Sequence, residues 1–256
     1  MFKEIPPAPQ PFEKELGNAW TIALETYPEL SILKTEKIGA SKEDFLQYTA
    51  GEFVASNDSQ KVLVRMVLGD IGHLEGLRTA RKTAIEIIAG KLGITPERID
   101  NKVLSLLIFL HEVGHGWDYI LNYLNNPLYQ NTESANAAWY DDYENELATL
   151  PVPGLDPSDL RTIIRESEDF QSFADQNPEL VYKFREHDIQ NQDDLLRVQE
   201  VAYRALPHES YADDFACNLL RKNWESIGLD PGLLKNLQPE TTAPSAYLTS
   251  RSETVR

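Results

Sequence analysis

The sequence of 256 residues contains a single cysteine, Cys217, so no disulfide bond can form within the chain. Cys217 lies among apolar residues of a predicted helix, where we expect a packed small side chain rather than a nucleophile. No apolar run approaches the roughly 18 residues of a transmembrane helix. The first 15 residues also lack the apolar region of a secretory signal. We therefore expect a cytoplasmic protein with no membrane partner.

Basic residues are scarce, because 24 Lys and Arg face 41 Asp and Glu and the formal net charge is −17. Phosphate repels an acidic surface, so the composition argues against nucleic acid as a partner. It suits a basic protein or peptide substrate, although solubility alone also accounts for it. A Gly-rich phosphate loop, a serine-nucleophile motif and a cysteine-rich zinc pattern are missing as well.

The most informative stretch is the apolar segment 106–117, which contains the pattern HExxH. On a helix, His111 and His115 lie on one face, one turn apart, and can bind one zinc ion together. Glu112 follows the first histidine and can reach a metal-activated water as general base. Apart from Glu112 this segment is uncharged, so its polar side chains need partners inside the protein. A metal would satisfy them.

A second motif lies 94 residues after His115, where Glu209 and Asp213 stand one helical turn apart. Ala212 and Ala216 extend this face with small side chains, which lets the helix approach another helix closely. Together, HEVGH and ESYADDFACNLL resemble the gluzincin metallopeptidases. They look most like the IrrE/ImmA-type soluble peptidases and the HtpX-like group, and the lack of a transmembrane segment argues against the latter. The resemblance covers roughly 103–124 and 207–221.

This resemblance implies a zincin-like metallopeptidase fold of the α+β class, mainly α-helical with a small sheet. It implies that Zn2+ is the cofactor and that Glu209 is the third zinc ligand. Asp213 would hold a zinc-binding imidazole in place. His208 adjoins Glu209 and is an alternative third ligand. Tyr211 and His208 are also candidates for stabilising an oxyanion, although packing is the role that we expect first for both.

The chain divides by composition into an arm, a body and a tail. We expect an extended Pro-rich arm, one catalytic domain and a mobile Ser/Thr-rich tail, over residues 1–15, 16–238 and 239–256. Within the domain, a long acidic insertion over 125–200 holds 17 Asp and Glu against 5 Lys and Arg. The segment 60–68 is the best strand candidate, and helices are predicted over 45–50 and 74–93.

The function that these features predict is that of a zinc-dependent metalloendopeptidase. Glu112 would take a proton from water and pass it to the leaving amine. The acidic insertion, whose ends are tied near the zinc ligands, would border the cleft and make the enzyme selective for its protein substrate. An unrelated subdomain or a partly mobile arm is the alternative for this segment. The alternative is a non-catalytic zinc-binding protein with a regulatory or protein-interaction role. Glu112 argues against that alternative, because a structural zinc site needs no base.

Overall fold

The computed structural model describes residues 12–39, 51–55, 62–68, 71–167 and 169–234. In this part of the chain α-helices dominate: α1 (Glu13–Thr26), α2 (Ile71–Ala80), α3 (Lys82–Leu92), α4 (Asn101–Tyr119), α5 (Thr132–Leu147), α6 (Pro157–Glu166), α7 (Phe170–Gln176), α8 (Val181–Glu186), α9 (Gln192–Arg204) and α10 (Pro207–Ile227). The prediction of a mainly helical protein is confirmed. None of the described helices combines the length and the apolar character needed to cross a bilayer.

A sheet of three strands packs beside α4. Its strands are β1 (Leu33–Gly39), β2 (Gly51–Ala55) and β3 (Val62–Leu68), in the spatial order β1-β3-β2. The central strand β3 lies within the predicted segment 60–68 and pairs parallel with β1 and antiparallel with β2. Strand β2 therefore lies at the edge of the sheet next to α4, and its Phe53 is buried.

Helices α4 and α10 form the centre of the fold. Fourteen of the nineteen residues of α4 are buried, because its apolar positions continue around most of its circumference. Helix α1, the sheet and α10 cover it, and these elements share one hydrophobic core. A π-helical turn, Ile120–Leu124, continues α4.

The acidic insertion is helical and has a core of its own. Helices α6 to α9 enclose a second cluster of buried residues, which includes Leu160, Phe173, Phe184 and Leu195. Its first helix, α5, lies outside this cluster and packs its Trp139 into the main core. The insertion is thus a helical subdomain whose first helix joins the main core.

Three predicted details differ from the structure or lie outside it. The helix predicted over 74–93 is two helices, because Arg81 takes a non-helical conformation between α2 and α3. The sequence offers Ser158 and Asp159 as the cap of a helix that runs through Ile164, but α6 is capped by Asp156, whose carboxylate accepts hydrogen bonds from two backbone N–H groups. The predicted helix over 45–50, residues 1–11 of the arm and the tail 239–256 lie outside the described residues.

Candidate metal centre

Helix α4 presents two imidazoles to the same point in space. Asp100 caps the helix by accepting a hydrogen bond from the Val103 backbone N–H at 2.8 Å, so the helix begins at a defined residue. One turn apart, His111 and His115 bring their Nε2 atoms to 3.1 Å from each other. Their side chains are 13% and 8% exposed, so both rings are largely withdrawn from water.

Helix α10 reaches these imidazoles because it crosses α4 at a glycine. A Cβ atom on Gly114 would lie 2.9 Å from the Cα atom of Ala212 and 3.2 Å from the Cβ atom of Phe215. Only a residue without a side chain permits so close a backbone approach. The small face of α10 predicted from the sequence therefore packs against the turn of α4 that lies between the two histidines.

This crossing brings the carboxylate of Glu209 onto both imidazoles. Its Oε2 atom lies 3.2 Å from Nε2 of His111, and its Oε1 atom lies 3.4 Å from Nε2 of His115. Among the described residues, these three side chains form a group whose potential ligand atoms all lie within 4.8 Å of one another. Two imidazoles and one carboxylate are a donor set typical of catalytic zinc sites.

Two buried charged residues, Asp213 and Arg204, contact the candidate ligands and fix their orientation. The Oδ1 atom of Asp213 lies 2.9 Å from Nδ1 of His111, so the aspartate fixes the orientation of that ring. Arg204 in turn donates a hydrogen bond to Oδ1 of Asp213 at 3.1 Å, and its Nη1 atom lies 3.5 Å from Oε2 of Glu209. Arg204 also donates to Glu200 at 3.2 Å. The carboxylates around the imidazoles are therefore held by a fixed cation.

Two tyrosines, Tyr143 of the acidic insertion and Tyr203 near the end of α9, hold the other side of Glu209. The Tyr203 hydroxyl donates to Oε1 of Glu209 at 2.8 Å, and the Tyr143 hydroxyl lies 3.4 Å from the same oxygen. The two hydroxyl groups are 3.0 Å apart. Trp139 stacks on the Tyr143 ring and lies edge-on to His115, with centroid distances of 5.5 and 6.4 Å. The insertion thus forms one wall of the candidate metal centre.

Glu112 faces the same cavity as the candidate ligands His111 and Glu209. The cavity has a volume of about 180 Å³. One side is apolar, and the polar side includes Glu112, Tyr203 and Arg204. Insertion residues Asp156, Ser158 and Asp159 also line it, so the insertion borders this space as the sequence predicted. Glu112 is therefore placed beside the candidate ligands without belonging to their group.

His208 does not replace Glu209. Its ring is fully buried in a different polar cluster, where Nδ1 lies 2.8 Å from Oε1 of Glu146 and Nε2 lies 3.2 Å from the Tyr123 hydroxyl. Tyr211 does not line the cavity, and burial near Asp118 raises the pKa of its hydroxyl. The hydroxyl group that lies beside the candidate ligands is that of Tyr203 instead.

The electrostatic environment favours ionised carboxylates among the ligands. Burial works to raise the pKa of Glu209, but the neighbouring imidazoles outweigh it and hold this pKa well below its usual range. Burial alone would lower the pKa of His111, but hydrogen bonds with Asp213 and Glu209 raise it to about 10. Glu112 differs, because burial dominates and raises the pKa of its carboxyl. A raised pKa suits a general base, whose conjugate acid must form and then release a proton.

The residues fit a zinc ion by two observations. The Oε2 atom of Glu209 is buried, and its contacts with Nε2 of His111 at 3.2 Å and Nη1 of Arg204 at 3.5 Å are too poorly directed to satisfy a carboxylate oxygen. The Nε2 atoms of His111 and His115 face each other at 3.1 Å. In a neutral imidazole that carries its proton on Nδ1, Nε2 presents a lone pair, so two such rings repel each other at this distance. A cation among these atoms would satisfy all three side chains at once.

Comparison of the chain with protein-family models, with curated proteins and with solved structures gives no match. An assignment of function therefore depends on the two motifs and on the geometry of the described residues.

Sequence reasoning missed four residues of the centre: Trp139, Tyr143, Tyr203 and Arg204. Tyr203 precedes the second motif by only a few residues, but nothing in the sequence fixes its direction, so a packing role is expected for it. A signal for α5 was present in Asn131 and Ser134, whose side chains form a reciprocal capping box at the start of that helix. Recognising this helix start would have placed Trp139 and Tyr143 one turn apart on the same face.

Proposed function

We propose that the protein is a zinc-dependent peptidase with a zincin-like fold. The observation that carries the proposal is the meeting of three candidate ligands, His111, His115 and Glu209, beside the unliganded carboxylate of Glu112. A centre that only stabilises the fold has no use for this fourth group. The resemblance of both sequence motifs to gluzincins points to the same chemistry.

Each residue of the centre has its own role in the proposed hydrolysis of a peptide bond. His111, His115 and Glu209 would hold a zinc ion, and its Lewis acidity would lower the pKa of water toward neutrality and polarise a carbonyl group. Glu112 accepts the proton that the attacking water loses and delivers it to the amine that leaves. Asp213 fixes the ring of His111, while Tyr203 and Arg204 hold the carboxylate of Glu209 in place.

We propose that strand β2 aligns an extended substrate. Among the described residues it pairs only with β3, and its Phe53 ring lies 6.4 Å from the ring of His115. An edge strand offers unpaired backbone N–H and C=O groups, to which a peptide can add as a further strand. We propose that the substrate runs along this edge with its scissile bond above the histidines.

The first experiment measures metal. Purified protein is expected to bind about one zinc ion per chain, as three-ligand catalytic sites do. His111→Ala and Glu209→Ala should each lose most of that zinc in metal analysis. Zinc contents like that of the wild type in both variants would show that the ligands are assigned wrongly.

The second experiment separates catalysis from metal binding. Glu112→Gln should keep its zinc and lose hydrolysis of a mixed peptide library followed by mass spectrometry, because the amide cannot accept the proton. Glu225→Gln, an exposed position on α10, is the control and should keep both properties. Full activity in Glu112→Gln would remove Glu112 as the base.

A second candidate function is a non-catalytic zinc-binding protein, and the burial of the ligands favours it. The side chain of Glu209 is 2% exposed and that of His115 is 8% exposed, which is typical of closed structural sites. This candidate predicts that zinc removal lowers the unfolding midpoint while no member of a peptide library is cleaved. The proposed peptidase predicts cleavage that a chelator abolishes and added zinc restores.

A further inference from the structure

The cavity beside the candidate zinc centre is built from two chemically distinct surfaces. Its apolar wall consists of aliphatic side chains from α2, α3 and α4: Leu77, Ile85, Leu104, Leu107 and Ile108. Its acidic rim comes from the insertion, where Asp156 and Asp159 stand at the start of α6. A volume of about 180 Å³ suits one medium-sized side chain, since a cavity of roughly 150 Å³ holds benzene.

The cationic side chains that line this cavity are already occupied. Arg81 donates hydrogen bonds to Glu200 at 3.0 Å and to Ser158 at 2.8 Å. Arg204 is held between Asp213 and Glu200. Neither guanidinium is directed to Asp159. The charges deep in the cavity are thus paired with one another, and the rim keeps a net negative charge.

Asp159 is the rim residue without a partner. Its carboxylate is exposed, lines the cavity and forms no hydrogen bond or ion pair with any residue in the described ranges. Burial of part of the group and the nearby Asp156 raise its pKa, which is the opposite of what a neighbouring cation would do. Asp156 differs, because its carboxylate caps the first turn of α6. A cation brought to Asp159 would therefore relieve repulsion and break no existing pair.

We propose that this cavity is a pocket for a lysine or arginine side chain of the substrate, and that Asp159 selects it. The inference rests on the proposed peptidase function and adds the substrate class. The aliphatic stem of the basic residue packs along Leu107 and Ile85, and its charged end reaches Asp159 at the rim. Long basic side chains commonly divide their contacts in this way. An acidic side chain in the same place would be repelled by both aspartates.

Two small zinc-binding probes test the pocket without any need for hydrolysis. Nα-acetyl-lysine hydroxamate and Nα-acetyl-norleucine hydroxamate share a zinc-chelating group and a four-carbon chain, and only the lysine probe carries the terminal ammonium group. Titration calorimetry on zinc-loaded protein measures both affinities. We expect the lysine probe to bind about fivefold more tightly at low salt, the size typical of a partly exposed ion pair. The preference should shrink at high ionic strength.

Variants assign the preference to one carboxylate. Asp159→Asn should bind the two probes equally well, and Asp159→Lys should favour the norleucine probe. Asp193→Asn is the control, because it removes the same charge from an exposed position of the insertion that does not line the cavity. It should keep the preference of the wild type.

The outcomes distinguish this pocket from the proposed activity. Equal affinities in the wild type, an unchanged preference in Asp159→Asn, or no binding of either probe would overturn the pocket, whether or not peptides are cleaved. The expected preference together with a complete absence of peptide cleavage would overturn the peptidase and leave the pocket standing. Cleavage next to basic residues that Asp159→Asn abolishes would support both.

Discussion

Gly114→Ala tests the helix crossing on which the metal centre depends. The added Cβ atom would lie 2.9 Å from Cα and 3.1 Å from the carbonyl oxygen of Ala212, and both are backbone atoms that cannot rotate away. Alanine favours the helix by about 1 kcal/mol over glycine, whereas overpacking costs about 1–3 kcal/mol. We expect a net loss of about 0–2 kcal/mol in the free energy of unfolding. The separation of α4 and α10 should also move Glu209 away from the imidazoles and weaken zinc binding about tenfold or more.

Gly90→Ala provides the matched control for this substitution. Gly90 lies within α3, and an added Cβ atom there would meet nothing within 4 Å. The same gain in helix propensity should appear without a clash, so this variant should be more stable by about 0.5–1 kcal/mol. Urea unfolding gives both free energies, and competition with a chelator gives the zinc affinities. If Gly114→Ala matches Gly90→Ala in stability and keeps the zinc affinity of the wild type, α4 and α10 do not approach each other as closely at Gly114 as described.

Two further substitutions address the groups that hold the ligands. Asp213→Ala should weaken zinc binding roughly 10- to 100-fold without abolishing it, because it releases the ring of His111. Chelator competition measures the affinity, and Asp214→Asn is the neighbouring control. An unchanged affinity in Asp213→Ala would remove Asp213 from the centre. Tyr203→Phe should weaken zinc binding by up to about tenfold through the lost hydrogen bond to Glu209. Tyr182→Phe, at a position 74% exposed, should change nothing, and equal affinities in the two tyrosine variants would contradict the contact.

The local parts of the centre could be predicted from the sequence because they depend on helical geometry alone. The spacing of His111 and His115 fixes their common face, and the apolar surroundings fix a buried helix. The motif resemblance paired that helix with Glu209 and Asp213, and the small residues of α10 indicated a close approach. The structure brings these side chains together. What the centre does stays a prediction.

The remaining groups could not be predicted because tertiary packing of the helices positions them. Tyr143 and Tyr203 lie 60 residues apart, and nothing in their local patterns joins their hydroxyl groups. Arg81 lies within the segment 74–93, whose pattern predicts one continuous helix. The structure breaks that helix at Arg81 and turns its guanidinium inward to Glu200. That carboxylate lies more than one hundred residues away.

Glu200 is the link between the insertion and the metal centre, and removing its charge should be costly. Its side chain is 4% exposed and pairs with Arg81 at 3.0 Å and with Arg204 at 3.2 Å. Glu200→Gln would leave two buried guanidinium groups without their shared counter-charge, and breaking a buried pair from one side costs about 3–5 kcal/mol. Because Arg204 keeps Asp213, we expect the lower end, about 3 kcal/mol, in urea unfolding at pH 7.

The exposed pair of Lys82 and Glu86 is the control for this loss. Its side chains are 79% and 50% exposed, so Glu86→Gln should change the unfolding free energy by no more than about 0.5 kcal/mol. Replacing both Arg81 and Glu200 with methionine should cost less than Glu200→Gln, because it leaves one unpaired guanidinium fewer. Similar losses in Glu200→Gln and Glu86→Gln would contradict a buried ion cluster.

The pH dependence of Glu200→Gln gives the sharper test, because it follows the charge and not the packing. Burial works to raise the pKa of Glu200, but Arg81 and Arg204 outweigh it and lower this pKa below its usual value. A carboxyl group with a lowered folded-state pKa contributes its stability above the unfolded-state pKa, about 4.3, and loses it as pH falls through the folded-state value. The difference in unfolding free energy between the wild type and Glu200→Gln should therefore be constant from pH 7 down to about 5 and should shrink below about 4. A difference that stays constant into acid would mean that the substitution acts through packing and that Glu200 does not hold the two arginines by its charge.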